Sequence, residues 1–322
     1  MSPISIYGAF VVVMLANLTG ATVAQDYPSK PVRIIAPFTA GGSADTLGRL
    51  VARELSESLK QNFFVENRAG AGGAIGSELV ARSPPDGYTL LVSGVASHTI
   101  LPAIAKVPYD PMASFSHISL LGGPPNALVV NTGVTARNIQ ELLALARSKT
   151  GGLAYGTPGK GTHGHLVAEM FQEVTGAPVV HVPYKGAAAA MTDLISGQIP
   201  MTFTTLSSAL GHIRAGKLRA LAVTSRTRMK ELPEVPTFAE LGYPQLTAVT
   251  WFSLSGPAGM DPALVAKLNT EVRKALRTPR VMERLALDGA EPNDMDAGAF
   301  TQFVAGELAR WTAVSKKLKL DD

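Results

Sequence analysis

Two periods of hydrophobicity alternate along this chain. Val32-Arg33-Ile34-Ile35-Ala36 is a short apolar run, which predicts a buried strand. A small-residue loop, Pro37 to Asp45, follows. Leu47, Leu50, Val51, Leu55 and Leu59 then recur at helical spacing, with Arg49, Arg53, Glu54 and Glu57 between them. The pattern repeats from Asn67-Arg68-Ala69-Gly70-Ala71-Gly72-Gly73 into a helix over 74–82, stopped by Pro84-Pro85-Asp86-Gly87 ahead of a strand over 88–92. Further strands are predicted at 127–130, 153–155, 179–182, 199–203, 218–224 and 249–254. Helices are predicted at 138–149, from 162–165 onward, and at 187–196, 262–277, 279–288 and 297–317. Strands alternating with helices predict an α/β architecture with mainly parallel sheets, whose ligands bind at the carboxyl ends of the strands. No fixed-period repeat appears; Val107-Pro108-Tyr109-Asp110 and Val182-Pro183-Tyr184-Lys185 echo one another as turns of similar chemistry.

The 322 residues fit about two domains. With 46% hydrophobic and 17% charged residues, the chain can build sizeable cores and is not disordered in type. The absence of cysteine excludes a disulfide framework, a thiol nucleophile and a Cys-based zinc site. The net charge of +4 comes from scattered basic residues, which argues against nucleic acid and suits small anions.

Residues 1–24 contain no Lys, Arg, Asp, Glu or His. Their apolar stretch from Ala9 to Leu18 is too short to span a bilayer comfortably, and Thr22-Val23-Ala24 fits a small-x-small cleavage pattern. They are read as a secretory signal peptide, although the n-region has only the terminal amine as positive charge. An uncleaved anchor or a buried strand is the alternative. A periplasmic location is expected.

Two loops carry candidate chemistry. Gly41-Gly42-Ser43 sits where a strand feeds a helix, so the free amides of the first helical turn and the helix dipole can hold an anion without Lys or Arg. Ser43 adds a hydroxyl. Asp45 would repel an anion there, so it either caps and orients the loop or binds a ligand donor or water. The second loop, Gly156 to His165, has the same layout. Its Gly159-x-Gly161-x-x-Gly164 nominally matches the dinucleotide fingerprint, but no acidic residue follows the next strand, Val182-Pro183-Tyr184-Lys185, for a ribose. A P-loop is excluded because Lys160 lacks the upstream Gly and the following Ser or Thr. No G-x-S-x-G elbow or H-E-x-x-H occurs. His98, His117, His163, His165, His181 and His212 are expected to be structural or to donate hydrogen bonds rather than to ligate a metal. No cofactor and no metal are expected.

Several motifs in order resemble the Bug receptors, the periplasmic solute-binding proteins of tripartite tricarboxylate transporters. They are Pro37-Phe38-Thr39-Ala40-Gly41-Gly42-Ser43-Ala44-Asp45, Asn67 to Gly73, Pro85-Asp86-Gly87-Tyr88-Thr89-Leu90-Leu91, Val107 to Pro111, Gly159 to Leu166, His181 to Gly186, Ala215 to Ala222 and Pro233-Glu234-Val235-Pro236-Thr237. The resemblance runs from about Tyr27 to about Glu307. It implies a Venus-flytrap fold of two α/β domains, 25–125 with 250–322 and 126–249, with the ligand cleft between them. It implies a receptor, not an enzyme, that captures a small carboxylate and delivers it to an inner-membrane permease, acting as a monomer. Carried over by position, Phe38 would wall the pocket. Thr39, Gly41, Gly42, Ser43, Ala44 and Asp45 would cradle the ligand together with Gly159, Gly161 and Thr162. His165 matches the family histidine at the second helix start, and Ser93 and Ser97 fall where relatives place pocket residues. Ala40 stands where the family loop commonly has Pro. Thr204 and Thr205 occupy the region where many relatives carry Asp, so a dicarboxylate, hydroxy acid or aromatic carboxylate is expected rather than an amino acid. Lys160 and His163 could each reach a distal carboxylate, although plain solvent exposure is the favoured reading for Lys160. A ligand-sensing module for a signalling partner and a carboxylate-processing enzyme are the rival readings.

Overall fold

The computed structural model describes residues 27–288, 290 and 293–318; the expected signal peptide lies outside them. Two five-stranded sheets carry the fold. The first segment of chain gives β1 (Val32–Ala36), α1 (Ser43–Leu59), β2 (Phe63–Asn67), α2 (Ala74–Ala81), β3 (Thr89–Gly94), a π-helical turn at Ala96–Ile100 running into α3 (Leu101–Ile104), and β4 (Phe115–Gly122). The chain then crosses over to β5 (Asn126–Asn131), α4 (Ile139–Ser148), β6 (Leu153–Thr157), α5 (His163–Thr175), β7 (Val179–Pro183), α6 (Ala187–Ser196), β8 (Met201–Thr205), α7 (Leu206–Arg214) and β9 (Leu218–Val223). It returns to β10 (Phe252–Pro257), α8 (Pro262–Leu276), α9 (Pro279–Asp288) and α10 (Ala297–Leu318).

The sheet orders are β2-β1-β3-β10-β4 and β7-β6-β8-β5-β9. Both sheets are mixed. β1 is parallel to β2 and β3, and β6 is parallel to β7 and β8, but β10 is antiparallel to both its neighbours, as is β5. The reversed strand in each sheet is the one entered from the other sheet. Such a strand arrives without a βα crossover, so the rule that keeps sequential strands parallel does not act on it. The two crossovers touch: Pro125 and Val249 form an antiparallel bridge, and the Thr250 amide donates to the Pro124 carbonyl at 3.2 Å.

The local sequence explains the elements. Val32, Ile34, Ile35 and Ala36 are all buried, as a central parallel strand covered on both faces requires. α1 buries Leu47, Val51 and Leu55 against the sheet, and Gly48 faces it so closely that a Cβ there would sit 2.7 Å from a Val92 methyl. Asn138 caps α4 by accepting from the Glu141 amide, while the Glu141 carboxylate accepts from the Arg137 amide. Asp261 caps α8 ahead of Pro262 in the first turn. One apolar core lies under α1, α8 and α9 on the first sheet and another under α6 and α7 on the second. A third, including Ile100, Phe171, Phe203, Phe300 and Trp311, is continuous from one sheet to the other.

Candidate functional site

Five strand-to-helix junctions meet between the sheets: β1–α1, the turn after β3, β6–α5, β7–α6 and β8–α7. They enclose, with both crossovers, a cavity of about 70 Å³. At roughly 10–15 Å³ per water, this holds about five waters or a small organic acid. Its wall includes Phe38, Thr39, Gly42, Ser43 and Ala44 from the first loop, Ser93 and Ser97, Thr162, and Thr205. No Asp, Glu, Lys or Arg lines it. Polarity comes instead from hydroxyls and from the starts of α1, α5, α6 and α7, whose free amides and dipoles favour an anion.

The two sides touch across this space. Ser43 Oγ lies 2.7 Å from Thr205 Oγ1 and 2.5 Å from Ser207 Oγ. A Cβ on Gly186 would sit 2.0 Å from Thr39 Oγ1, and one on Gly72 would sit 2.6 Å from the Lys160 carbonyl. These contacts hold the cleft closed. Gly41, at φ +85°, turns the loop into the Gly42 cap of α1.

The remaining expected site residues lie off the cavity wall and act on its frame. Asp45 is almost fully buried and faces away from it. Its carboxylate accepts from the Gly41 amide at 3.1 Å, Asn67 Nδ2 at 2.9 Å and Arg49 Nε at 3.1 Å. Burial alone would raise its pKa, but the bonds from Arg49, Gly41 and Asn67 outweigh it and hold the carboxylate below its usual range. Gly41 is therefore tied by its amide to Asp45. Gly161 packs on Leu101, and Gly159 lines an outer cleft at the mouth. Thr204 is buried in β8 without a partner for its hydroxyl; strand alternation turns Thr205, its neighbour, to the cavity.

His165, expected from the resemblance to meet the ligand, also lies off the cavity wall. It stacks on His181 at 4.3 Å, and His181 stacks on Tyr155 at 5.0 Å, forming a column beneath the second loop. The Gly161 amide donates to His165 Nδ1 at 3.4 Å, while Nε2 lies 3.7 Å from Glu169 Oε1, which also accepts from the Tyr155 hydroxyl. Burial, then the charges of His181 and Lys160, push its pKa down to about 3, so the ring is neutral and accepts from the loop. His181 is pushed down to about 4 by burial and Lys160, and its Nε2 meets Thr157 Oγ1 at 2.6 Å.

Sequence reasoning missed the crossover residues. Asn126 and Thr250 both line the cavity, and so does His163. His163 Nδ1 lies 2.5 Å from Asn126 Nδ2 and 2.8 Å from Thr250 Oγ1, and its ring packs edge-on to Trp311 at 5.4 Å. Burial, then the Arg310 charge, push its pKa down to about 3. One imidazole thus joins the second loop to both crossovers. No periodic signal in the sequence points from the first crossover, at Pro124-Pro125, to Thr250. Among the described residues no group of three or more His, Asp or Glu could hold a metal ion, and no helix is long and apolar enough to cross a membrane.

Residues 47–320 match the family described as "Tripartite tricarboxylate transporter family receptor". Protein BugT of Bordetella pertussis is 36% identical over 316 residues, 98% of this chain and 96% of that protein. The solved structure of an R. palustris protein with adipate superposes with a TM-score of 0.87 at 34% identity, covering 91% of this chain and 99% of that one. MatC from Rhodopseudomonas palustris, solved with bound malate, gives a TM-score of 0.85 at 29% identity, covering 89% and 99%. This chain belongs to the TctC family of tripartite tricarboxylate transporter receptors, and its α/β fold is that of their two-domain periplasmic binding proteins.

Proposed function

We propose that this protein captures a small carboxylate in the periplasm and delivers it to the permease of a tripartite tricarboxylate transporter, without chemical change to the ligand. The observation that carries this reading is the closed cavity itself. Hydroxyls of Ser43, Thr162 and Thr205 line its wall, four helices begin around it, and it has no charged side chain. Such a site holds an anion with fixed dipoles rather than a full counter-charge, which permits release. The adipate and malate held by two related proteins support a carboxylate as the cargo class.

The first domain would comprise 25–125 with 250–322 and the second 126–249, closing about the two crossovers. Closure would turn about the Pro125–Val249 bridge, where the two crossovers lie side by side. Residues 1–24 would direct export, and the receptor would act as a monomer without a cofactor. Of the expected binding residues, Phe38, Thr39, Gly42, Ser43, Ala44, Ser93, Ser97, Thr162 and Thr205 would touch the ligand, with Asn126, His163 and Thr250 added. Gly41, Asp45, Gly159, Gly161, His165 and Thr204 would shape the loops.

Calorimetric titration of the purified protein with malate, succinate, adipate and benzoate tests this. Saturable binding of at least one acid, weakened in both Ser43→Ala and Thr162→Ala, is expected. Unchanged affinity in both variants would remove the proposed site.

A further inference from the structure

The closed cavity is small and free of charge, but its mouth is not. An outer cleft of about 410 Å³ shares Phe38 and Pro158 with the cavity as a common wall. Three lysines line this cleft: Lys106 beyond α3 on one side, and Lys160 in the second loop and Lys185 after β7 on the other. None of the three forms an ion pair or hydrogen bond with a side chain among the described residues. No Asp or Glu lines the cleft. The one tyrosine there, Tyr184, already donates its hydroxyl to Asp193 at 2.7 Å.

From this juxtaposition we infer that the cleft is a second anion subsite, which holds the distal carboxylate of an aliphatic diacid whose first carboxylate lies between the two Gly-rich loops. The inference rests on the function proposed above and narrows its cargo class.

Three observations support it. The cavity wall beyond the hydroxyls is apolar, with Phe38, Val92, Val95 and Phe252 available to cover methylenes. Phe38 and Pro158 are the wall that the cavity and the cleft share, so a diacid too long for about 70 Å³ would extend past them toward the lysines. The lysines come from both sides of the cleft, so closure gathers three like charges that repel until an anion joins them. An ammonium on a flexible four-carbon stem suits a carboxylate at variable reach better than a rigid guanidinium fork would.

The test is calorimetric titration at low salt of the wild type and of the triple variant K106Q/K160Q/K185Q. The probes are adipate and hexanoate, which have equal carbon number and differ by one carboxylate. Circular dichroism checks that the variant is folded. The wild type is expected to bind adipate at least tenfold more tightly than hexanoate. Because exposed ion pairs are individually weak, the triple variant should lose about tenfold in adipate affinity while hexanoate changes less than twofold. Raising salt to about 0.3 M should narrow the wild-type gap. Equal affinities for adipate and hexanoate in the wild type, or unchanged adipate affinity in the variant, would overturn the subsite and leave the loop site standing. Failure of the wild type to bind any mono- or diacid would overturn both.

Discussion

Ser43, the first residue of α1, and Thr205, the last residue of β8, place their hydroxyl oxygens 2.7 Å apart although they belong to different sheets. Ser207 adds a second hydroxyl at 2.5 Å from Ser43. Ser43 can donate to one neighbour and accept from the other, and a hydroxyl proton not used within the cluster can turn to a carboxylate in the cavity. The same group that would meet a ligand therefore also ties the cleft shut.

Ser43→Ala removes both functions. A neutral hydrogen bond contributes about 0.5–1.5 kcal/mol net, so one lost bond across the cleft and one to the ligand should together weaken carboxylate binding roughly five- to 150-fold. Ser207→Ala removes only one of the two hydroxyls that meet Ser43 across the cleft and should have the smaller effect. A calorimetric double-mutant cycle between the two is expected to be non-additive; additivity within error would show that the bridge plays no part in closure.

Most of this frame was legible in the sequence because it rests on strong local signals. Val32 to Ala36 reads as a buried strand, Gly41-Gly42-Ser43 as its exit, and Leu47, Val51 and Leu55 as a helix stripe. The edge strand β2 escaped notice because Phe64 to Asn67 mixes exposed and polar positions, and Phe64 itself is 41% exposed. The reversed strands escaped too, since periodicity carries no direction. At the site, the family motif placed His165 at the ligand, but the burial of its ring against His181 draws it beneath the loop. His163, Asn126 and Thr250 are brought together from three separate segments, and no spacing rule could join them.

Acid should destabilise the protein well before its carboxylates titrate. His163 and His165 are pushed down to about 3 and His117 to about 4, chiefly by burial, against about 6.5 in an unfolded chain. Above pH 6.5 both states are neutral and these rings cost nothing. Below it the unfolded chain takes up protons that the fold excludes, so stability falls continuously until the folded pKa values are passed. Each ring can contribute up to about 1.4 kcal/mol per pH unit in that window. Melting temperature measured from pH 8 to 4.5 should be flat above 7 and then drop, and His163→Gln should reduce the slope. A profile flat to pH 5 would contradict the burial of these rings.

Both tryptophans of the chain depend on one acid. Trp251 and Trp311 donate their indole N–H to Glu307 Oε2 at 3.0 and 3.1 Å, and both rings are buried. Trp251 follows the second crossover, and Trp311 packs on His163. Glu307→Ala leaves two buried donors unpaired, at about 1–3 kcal/mol each, and should lower unfolding free energy by roughly 2–5 kcal/mol in urea. Glu307→Gln keeps an acceptor oxygen and should lose less than half of that. Indole emission in the same titrations is expected to shift in the Ala variant before unfolding, because the crossover and α10 lose their common anchor.

Closure can be separated from folding at Gly186. This residue caps α6 and faces Thr39 so closely that a Cβ would lie 2.0 Å from Thr39 Oγ1 and 3.1 Å from its Cβ. Thr39 is β-branched and cannot swing clear by a simple rotamer change. The clash lies between the two sides of the cleft and touches neither core, so Gly186→Ala should fold with a melting temperature within about 2 °C of the wild type. Its closed state should be raised by the roughly 1–3 kcal/mol typical of overpacking. Carboxylate affinity should fall by the matching factor, roughly five- to 150-fold, because ligand binding must now work against the clash. Small-angle scattering with saturating ligand would show whether the radius of gyration stays at the larger, open value. The control is Gly164→Ala, where the added Cβ would lie 2.3 Å from the Phe203 carbonyl inside one side of the molecule. That variant should lose stability itself. If Gly186→Ala instead bound and compacted like the wild type, the contact between Thr39 and Gly186 would not belong to the ligand-bound state.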